Sequence, residues 1–392
     1  MSKIKNKLLV AFILVALLPL LSLGAYGIYN ITATVKANSI SKLNSKVSLV
    51  SSKVEDFLKG VASDLFYLKD STSAKQMVNA SADEVTGAIK SLEDDFLAFS
   101  KNKKIYNQIR YLNADGKEVV RVDRNNDKSY VVPHSKLQNK KSRYYFADTA
   151  KLSEGGIMIS PLDLNREKGK IEIPLRPVIR YGTPLFDRNQ QFKGIVLFNV
   201  IAKKFLDIVR ENAGANELLV FIDDKGNYYL NPDAEKEWGG KRDQNTGANF
   251  KKDFSQVAGQ VLSSKMAGAV PQQKNIISMA PVFLNGQGVK RLGTIVDVIP
   301  NKVVFASATN FRNIFLAIGL LVLVVTLAIS IFLAGSITKP LSYLTEATDK
   351  MSKGDLKTTI SLNTKDETGQ LAEAIERLRK SMNIFITRLT KK

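Results

Sequence analysis

Residues Ile314–Ile337 read IFLAIGLLVLVVTLAISIFLAGSI, about two dozen positions without a charge. About 20 apolar residues suffice to cross a bilayer as a helix. A buried helix of a soluble domain would carry a polar stripe, and this run carries none. The reading is a membrane span. It divides the chain into a large part before it and a short, heptad-patterned tail after it.

A second apolar run covers Leu8–Tyr29. A cleaved signal peptide has an apolar core of roughly 7–15 residues followed by a small-residue cleavage site. This core is longer and no such site follows it cleanly, so the preferred reading is an uncleaved anchor. Pro19 is expected to kink it, which membrane helices tolerate. Lys3, Lys5 and Lys7 precede the run and hold the N-terminus in the cytoplasm by the positive-inside bias. Two spans then return the C-terminus to the cytoplasm and leave Asn30–Arg312 outside, in the periplasm.

The 392 residues carry a formal net charge of +20, no cysteine and one histidine. The basic residues are spread along the chain, which argues against a nucleic-acid face. The absence of cysteine removes disulfides, thiol catalysis and Cys-based metal sites. The lone His134 leaves neither a His-rich metal site nor a His-dependent triad, and it is read as a surface residue rather than a pH sensor.

From Ile40 the apolar positions Leu43, Val47, Val50, Val54, Phe57, Val61, Leu65 and Leu68 recur mostly at steps of three and four. That spacing predicts a long amphipathic helix leaving the membrane. Its seam suits either dimer packing or packing under its own domain. Ser71-Thr72-Ser73 breaks the pattern, and Val85, Ile89, Leu92, Phe96 and Phe99 mark a second helix. Strands follow. Ile105–Leu112 and Val119–Val122 flank the hairpin signal Asn113-Ala114-Asp115-Gly116. Arg143–Leu152 reads as a helix and Ile157–Ile159 as a short strand. Ile171–Phe186, with Pro174, Pro177 and Pro184, reads as edge strands and loops, and Gly194–Ile201 as a buried strand. The plan then repeats. Leu218–Ile222, Asp223-Asp224-Lys225-Gly226 and Tyr228–Leu230 open a second copy. Ile276–Leu284 and Leu292–Ile299, joined at Asn285-Gly286-Gln287-Gly288, close it. The endings Asn199-Val200-Ile201 and Asp297-Val298-Ile299 suggest a duplication with a period of about 100 residues.

In layout, and most closely over Arg143-Tyr144-Tyr145-Phe146, Ser160–Asn165 and Pro177–Pro184, this region resembles the double Cache sensors, two PAS-like domains on a long N-terminal helix. The resemblance implies attachment to histidine kinases, diguanylate cyclases or chemoreceptors. It also implies a small ligand in the membrane-distal copy. A pocket for a small polar ligand needs a few convergent polar groups, and the candidates are Arg143, Tyr144, Tyr145, Arg180 and Asn199. The competing reading pairs Arg143 with Asp148 or Glu154 and places the tyrosines in the core. Amino-acid-binding relatives carry Arg-x-Trp-Tyr and a closing-strand Asp. The sole tryptophan here is Trp238, in the second copy, and Asn199 stands where the Asp would align. A neutral amide cannot pair with an ammonium as a carboxylate does. With Lys141 also near, the expected ligand is a small carboxylate or another anion, since guanidinium forks suit such groups.

In the tail, Ile337, Leu341, Leu344, Thr348 and Met351 form one seam, and Leu371, Ile375, Leu378, Met382, Phe385 and Leu389 another. Pro340 is placed in the first turn of a new helix, Gly354 ends it, and Asp366-Glu367 start the next. Two such helices bury their seams by pairing with a second chain as a parallel four-helix bundle. Pro340, Gly354-x-Leu356, Ile360 and Asp366-Glu367-x-Gly369 make this tail similar to a HAMP domain. The resemblance assigns signalling roles to Pro340, Gly354, Leu356, Ile360 and Glu367.

The expected architecture is α+β. Residues 1–7 are cytoplasmic, 8–29 span the membrane, 30–312 form a tandem PAS-like double Cache ectodomain, 313–337 span again and 338–392 form a parallel coiled-coil HAMP domain. Within the ectodomain, 30–100 is the helical stalk, 101–212 the distal copy and 213–312 the proximal one. The expected function is a homodimeric, two-span sensory receptor of the bacterial inner membrane. It would lie in lipid, bind a small molecule outside and act on a separate cytoplasmic signalling protein. No histidine follows the second span, and no nucleotide-binding glycine box, cyclase signature or methylation hairpin is visible, so neither enzyme activity nor a cofactor or metal is expected. Two alternatives stay open: the input half of a chemoreceptor, sensor kinase or diguanylate cyclase, and a membrane-anchored adhesion or structural protein.

Overall fold

The computed structural model describes residues 2–125, 128–167, 169–284 and 290–389. They divide into two compact units. One comprises residues 37–304; the other joins the first 36 residues to those from 305 onward. Helix α1 (Ser2–Lys69) is continuous, with Pro19 inside it. Helix α2 (Thr72–Asn79) follows after one turn, in a stretch where the apolar spacing marks no helix. Ser71 is its N-cap, and the hydroxyl accepts the Ala74 N–H at 3.2 Å. The Ser-Thr-Ser break is therefore a start signal rather than a loop. Helix α3 (Val85–Asn102) completes the helical part.

The first lobe holds β1 (Tyr106–Asn113), β2 (Glu118–Asn125), β3 (Lys128–Val131), α4 (Tyr144–Ala150), β4 (Met158–Ile159), β5 (Asp163–Leu164), β6 (Arg166–Glu167), β7 (Lys170–Ile171), β8 (Pro177–Phe186) and β9 (Phe192–Ile201). The antiparallel sheet runs β3-β2-β1-β9-β8-β4, with β5 also on β8. The prolines misdirect over Pro177–Phe186. Pro177 opens the strand, where no ladder donor is required of it, and β8 is a ten-residue strand paired on both sides.

Helix α5 (Lys203–Glu211) leads to the second lobe: β10 (Leu218–Ile222), β11 (Tyr228–Leu230), α6 (Phe250–Asp253), α7 (Ser255–Ser263), β12 (Gly268–Pro271), β13 (Asn275–Phe283), β14 (Arg291–Pro300) and α8 (Asn301–Val304). Its sheet order, β11-β10-β14-β13-β12, repeats β2-β1-β9-β8-β4. The turn expected at Asn285-Gly286-Gln287-Gly288 lies outside the described residues, as do the side chains of Lys3, Lys5 and Leu389.

The α1 seam packs under both sheets. Val47, Val50, Val54, Leu58, Val61, Leu65 and Leu68 are almost fully buried. They share one core with Tyr106, Val196, Phe198 and Val200 of the first lobe and with Leu219, Phe221, Ala280, Val282 and Ile295 of the second. Each such side chain contributes about 1.5–3 kcal/mol. Polar ties add register. Tyr106 donates to Asp64 at 2.5 Å, Ser51 to the Pro281 carbonyl at 2.7 Å, and Lys46 binds Asp297 at 2.9 Å and also Glu217.

These contacts correct the repeat alignment. Asp297 faces α1 with Ile295 and Ile299, whereas Asn199 faces away from it and Phe198 and Val200 face it. Side chains alternate along a strand, so the two endings are one residue out of step. By face, Asn199 and its partner Arg180 correspond to the paired Val298 and Ile277.

In the other unit, α1 and helix α9 (Ala306–Ser352) are, among the described residues, the two helices long and apolar enough to cross a membrane. A Cβ at Gly24 would collide with the Phe315 ring, so the two helices approach closely there. Pro340 lies within α9 rather than in the first turn of a new helix; the apolar span and the first tail helix are one rod. Gly354 follows with a left-handed φ of 100°. Asp366 caps helix α10 (Glu367–Leu389), accepting the Thr368 N–H at 3.0 Å. In the connector, Leu356 and Ile360 are buried, and Ile360 packs with Leu344 and Ala372. Leu371, Leu378, Met382 and Phe385 stay exposed in the single chain.

Candidate functional site

On the face of the first sheet that turns away from α1, alternation brings up Gln108 and Arg110 from β1, Arg121 from β2, Arg180 from β8 and Asn199 from β9. Helix α4 covers this face through Tyr145, the 138–143 segment through Gln138, Lys140 and Arg143, and the β6–β7 hairpin through Arg166. Together they line a cavity of about 230 Å³ that is open on one side. Four of the five residues singled out from sequence meet here: Arg143, Tyr145, Arg180 and Asn199. Tyr144 does not line the cavity. It points outward with Arg242 over its ring at 5.8 Å. Among the described residues Arg143 makes no ion pair with Asp148 or Glu154; it lies 6.0 Å from the Tyr145 ring centre. His134 sits on a one-turn helix and contacts Glu93 at 2.9 Å.

Arg110, Gln108, Arg121, Lys140 and Arg166 escaped the sequence reading. The usable signal was the alternation in Gln108-Ile109-Arg110-Tyr111, which puts the polar Gln108 and Arg110 on one face of the strand and the apolar Ile109 and Tyr111 on the other.

Arg110 is buried. It donates to Asn199 Oδ1 at 2.7 Å and lies 3.4 Å from Glu118. Asn199 in turn donates to Gln108 at 3.0 Å, so both ends of its amide are used in holding β1 side chains. Arg180 is paired with Asp163 at 2.8 Å and reaches Asn165 at 3.2 Å. Arg121 forks onto Asp123 with two 2.7 Å bonds. The Tyr145 ring has Arg110, Arg143 and Arg180 within 5.5–6.0 Å of its centre. Burial pushes its phenol up, but the charges of Arg110 and Lys140, with contacts from Arg110 and Arg143, outweigh that and leave it below the ordinary tyrosine value. The Lys140 ammonium is lowered, chiefly by burial and further by Arg110 and Arg121. No cluster that could hold a metal ion occurs among the described residues.

A two-lobed α/β unit on a long helix, with a ligand-sized polar cavity in one lobe and a helix–connector–helix tail after an apolar span, defines a membrane sensory receptor. The description of the bacterial histidine kinase sensor domain matches residues 52–286, and that of the HAMP domain matches 332–383. The chain belongs to the bacterial histidine kinase sensor domain family. It is a Cache-type sensor joined to HAMP.

Two solved structures share the fold. A domain of a sensory box/GGDEF family protein from Vibrio parahaemolyticus aligns with TM-score 0.58 and 19% identity, over 68% of this chain and 98% of that one. The extracellular domain of the histidine kinase vpHK1S-Z8 aligns with TM-score 0.58 and 20% identity, over 71% and 96%. A sensory transducer protein of Acetivibrio thermocellus is 31% identical over 78 residues, 20% of this chain; the chain spans about 14% of that relative's length. Sensor and HAMP domains are signalling modules rather than catalysts.

Proposed function

We propose that the chain is a two-span receptor of the bacterial inner membrane with both termini in the cytoplasm and residues 30–312 in the periplasm. The first lobe, as the membrane-distal one, binds a small carboxylate or another anion through Arg143, Tyr145, Arg180 and Asn199. The chain itself carries no catalytic step. The observation that carries this reading is the polar cavity of the first lobe, lined by guanidinium, amide, ammonium and phenol groups.

Signalling follows from bistable packing. Two chains pair in the lipid and through the exposed seam of α10. Occupancy shifts α9, and the HAMP bundle repacks around Pro340, Gly354, Leu356, Ile360 and Glu367. Displacements of about 1–2 Å suffice where interfaces have discrete packings. A separate cytoplasmic signalling protein reads the outcome.

The test uses the full chain in detergent, screened by thermal shift against small acids, amines and purines. An acid raises the melting temperature and Arg143→Ala weakens the response. Cysteine pairs placed at Leu378 and Phe385 then report crosslinking yields that change with ligand. Stabilisation by no acid, or identical crosslinking with and without ligand, overturns the proposal.

A further inference from the structure

The first-lobe cavity contains more positive charge than its own carboxylates neutralise. Six cations line it: Arg110, Arg121, Lys140, Arg143, Arg166 and Arg180. Among the described side chains no carboxylate lines it. Three stand behind the cations. Asp163 binds Arg180 at 2.8 Å and lies 3.7 Å from Arg242. Asp123 is held by Arg121. Glu118, whose side chain is fully buried, divides its oxygens among Arg110 at 3.4 Å, Arg121 at 3.7 Å and the Gln138 N–H at 3.0 Å. Arg166 spends its donors on the Gly169 and Arg242 carbonyls. Arg110 shares Glu118 with Arg121, and among the described residues Lys140 and Arg143 have no close carboxylate.

Arg110 supplies an independent observation. It is 3% exposed, it lines the cavity, and its Nε has no partner among the described residues. A buried guanidinium nitrogen without an acceptor is costly, and a charged acceptor in the cavity relieves that cost. Its two Nη atoms are engaged by Asn199 at 2.7 Å and Glu118 at 3.4 Å, and the guanidinium also contacts the Tyr145 phenol, so Nε is the donor left over among the described residues. The lowered Lys140 and Tyr145 both fit a site short of negative charge.

We propose that the ligand is a compact, acceptor-only polyanion carrying at least two negative charges, one engaging Arg110 and the other engaging Lys140 and Arg143. The inference rests on the first-lobe site proposed above and narrows its ligand. A monocarboxylate leaves part of the cationic surplus in place. A zwitterion brings an ammonium into a cavity with no carboxylate among its described lining side chains. The volume, equal to about seven or eight waters at about 30 Å³ each, suits a short di- or tricarboxylate or a pyrophosphate-sized oxoanion. The shared chemistry is two or more anionic groups within one small body.

The experiment is titration calorimetry on the full chain in detergent at constant ionic strength. The probes are acetate, malonate, tricarballylate, phosphate, pyrophosphate and alanine. Binding is expected to tighten at least tenfold from acetate to malonate or from phosphate to pyrophosphate, and whichever series responds identifies the oxoanion class. Lys140→Gln, a half-buried side chain whose loss should spare the fold, is expected to reduce that ratio severalfold, and Arg110→Gln to weaken every anion. A control variant, Lys241→Gln, lies outside the cavity and should change nothing. Alanine binding more tightly than malonate, a ratio near one, or no anion binding at millimolar concentration overturns the polyanion inference. If alanine binds and Arg143→Ala weakens it, the first-lobe site survives without its polyanion. If binding of any probe is indifferent to Arg110→Gln, Lys140→Gln and Arg143→Ala, the site itself falls.

Discussion

The two lobes share one strand order but not one chemistry. On the face turned away from α1, the first sheet presents Gln108, Arg110, Arg180 and Asn199 to a polar cavity. The same face of the second sheet presents Val220, Ile277, Met279, Val296 and Val298, closed by Phe250, Val257 and Val261 from the α6–α7 segment. The backbone plan is therefore neutral about binding. Whether a lobe receives a ligand or seals itself is decided by side chains at alternate positions of three central strands and by whether a helix with apolar residues covers them. The second lobe places its polar anchors on the other face instead, where Lys46 of α1 meets Asp297 and Glu217. One lobe turns its charges into a cavity, the other toward its own stalk.

The sharpest way to break this contrast is to give the second lobe the first lobe's residue. Ile277→Arg puts an unpaired guanidinium among Val220, Val298 and Val257. It should cost about 4–5 kcal/mol, seen as a lowered urea midpoint and new proteolytic cuts in the second lobe. Tolerance of that arginine would mean the face is open to water and the contrast is false. Next in size is Asp163→Ala in the first lobe, which strands the buried Arg180. A loss of about 3 kcal/mol is expected, measured by the same unfolding curve, and Asp163→Ala with Arg180→Met should recover much of it.

The stalk anchor of the second lobe responds to alkali. Burial lowers the Lys46 ammonium, but its bonds to Asp297 and Glu217 outweigh that and raise it above its ordinary 10.5. A raised cation contributes stability that is fully present below 10.5 and is lost as pH climbs through the folded value. The melting temperature should fall over that window in the wild type. Lys46→Met should start lower at about pH 8 and show a smaller further fall.

The smallest effect is spectroscopic. Tyr145 sits below the usual phenol value among cations, whereas burial, with Asp223, Asp224, Asp243 and Asp163 nearby, raises Tyr229 in the second lobe. Ultraviolet titration should show one early-ionising phenol that vanishes in Tyr145→Phe and persists in Tyr229→Phe. If Tyr229→Phe removes it, the fields of the two lobes have been assigned the wrong way round.

Much of the fold was legible because its signals are local. Uncharged runs of twenty residues or more, seams at steps of three and four, and the turns Asn113–Gly116 and Asp223–Gly226 each report a backbone preference or a solvent. The candidate site was legible only in part. Arg143, Tyr145, Arg180 and Asn199 lie near family-like segments, while Arg110 and Lys140 reach the cavity through strand pairing and a chain crossing that no short window contains. Pro340 misled because a proline in the first turn and a proline inside a continuous helix look alike until the preceding turns are seen.

The amino-acid order alone determined that this chain has two lipid-compatible segments, a stalk with one apolar seam, a doubled α/β plan and a HAMP-like tail, since hydrophobic period and turn chemistry are written residue by residue. Tertiary structure alone decided which face each strand turns to the stalk. It thereby decided that Asn199 belongs to a cavity and Asp297 to a buried ion cluster. The reason is parity: a one-residue difference in register is almost invisible in a sequence comparison, yet it sends every side chain of a strand to the opposite side of the sheet.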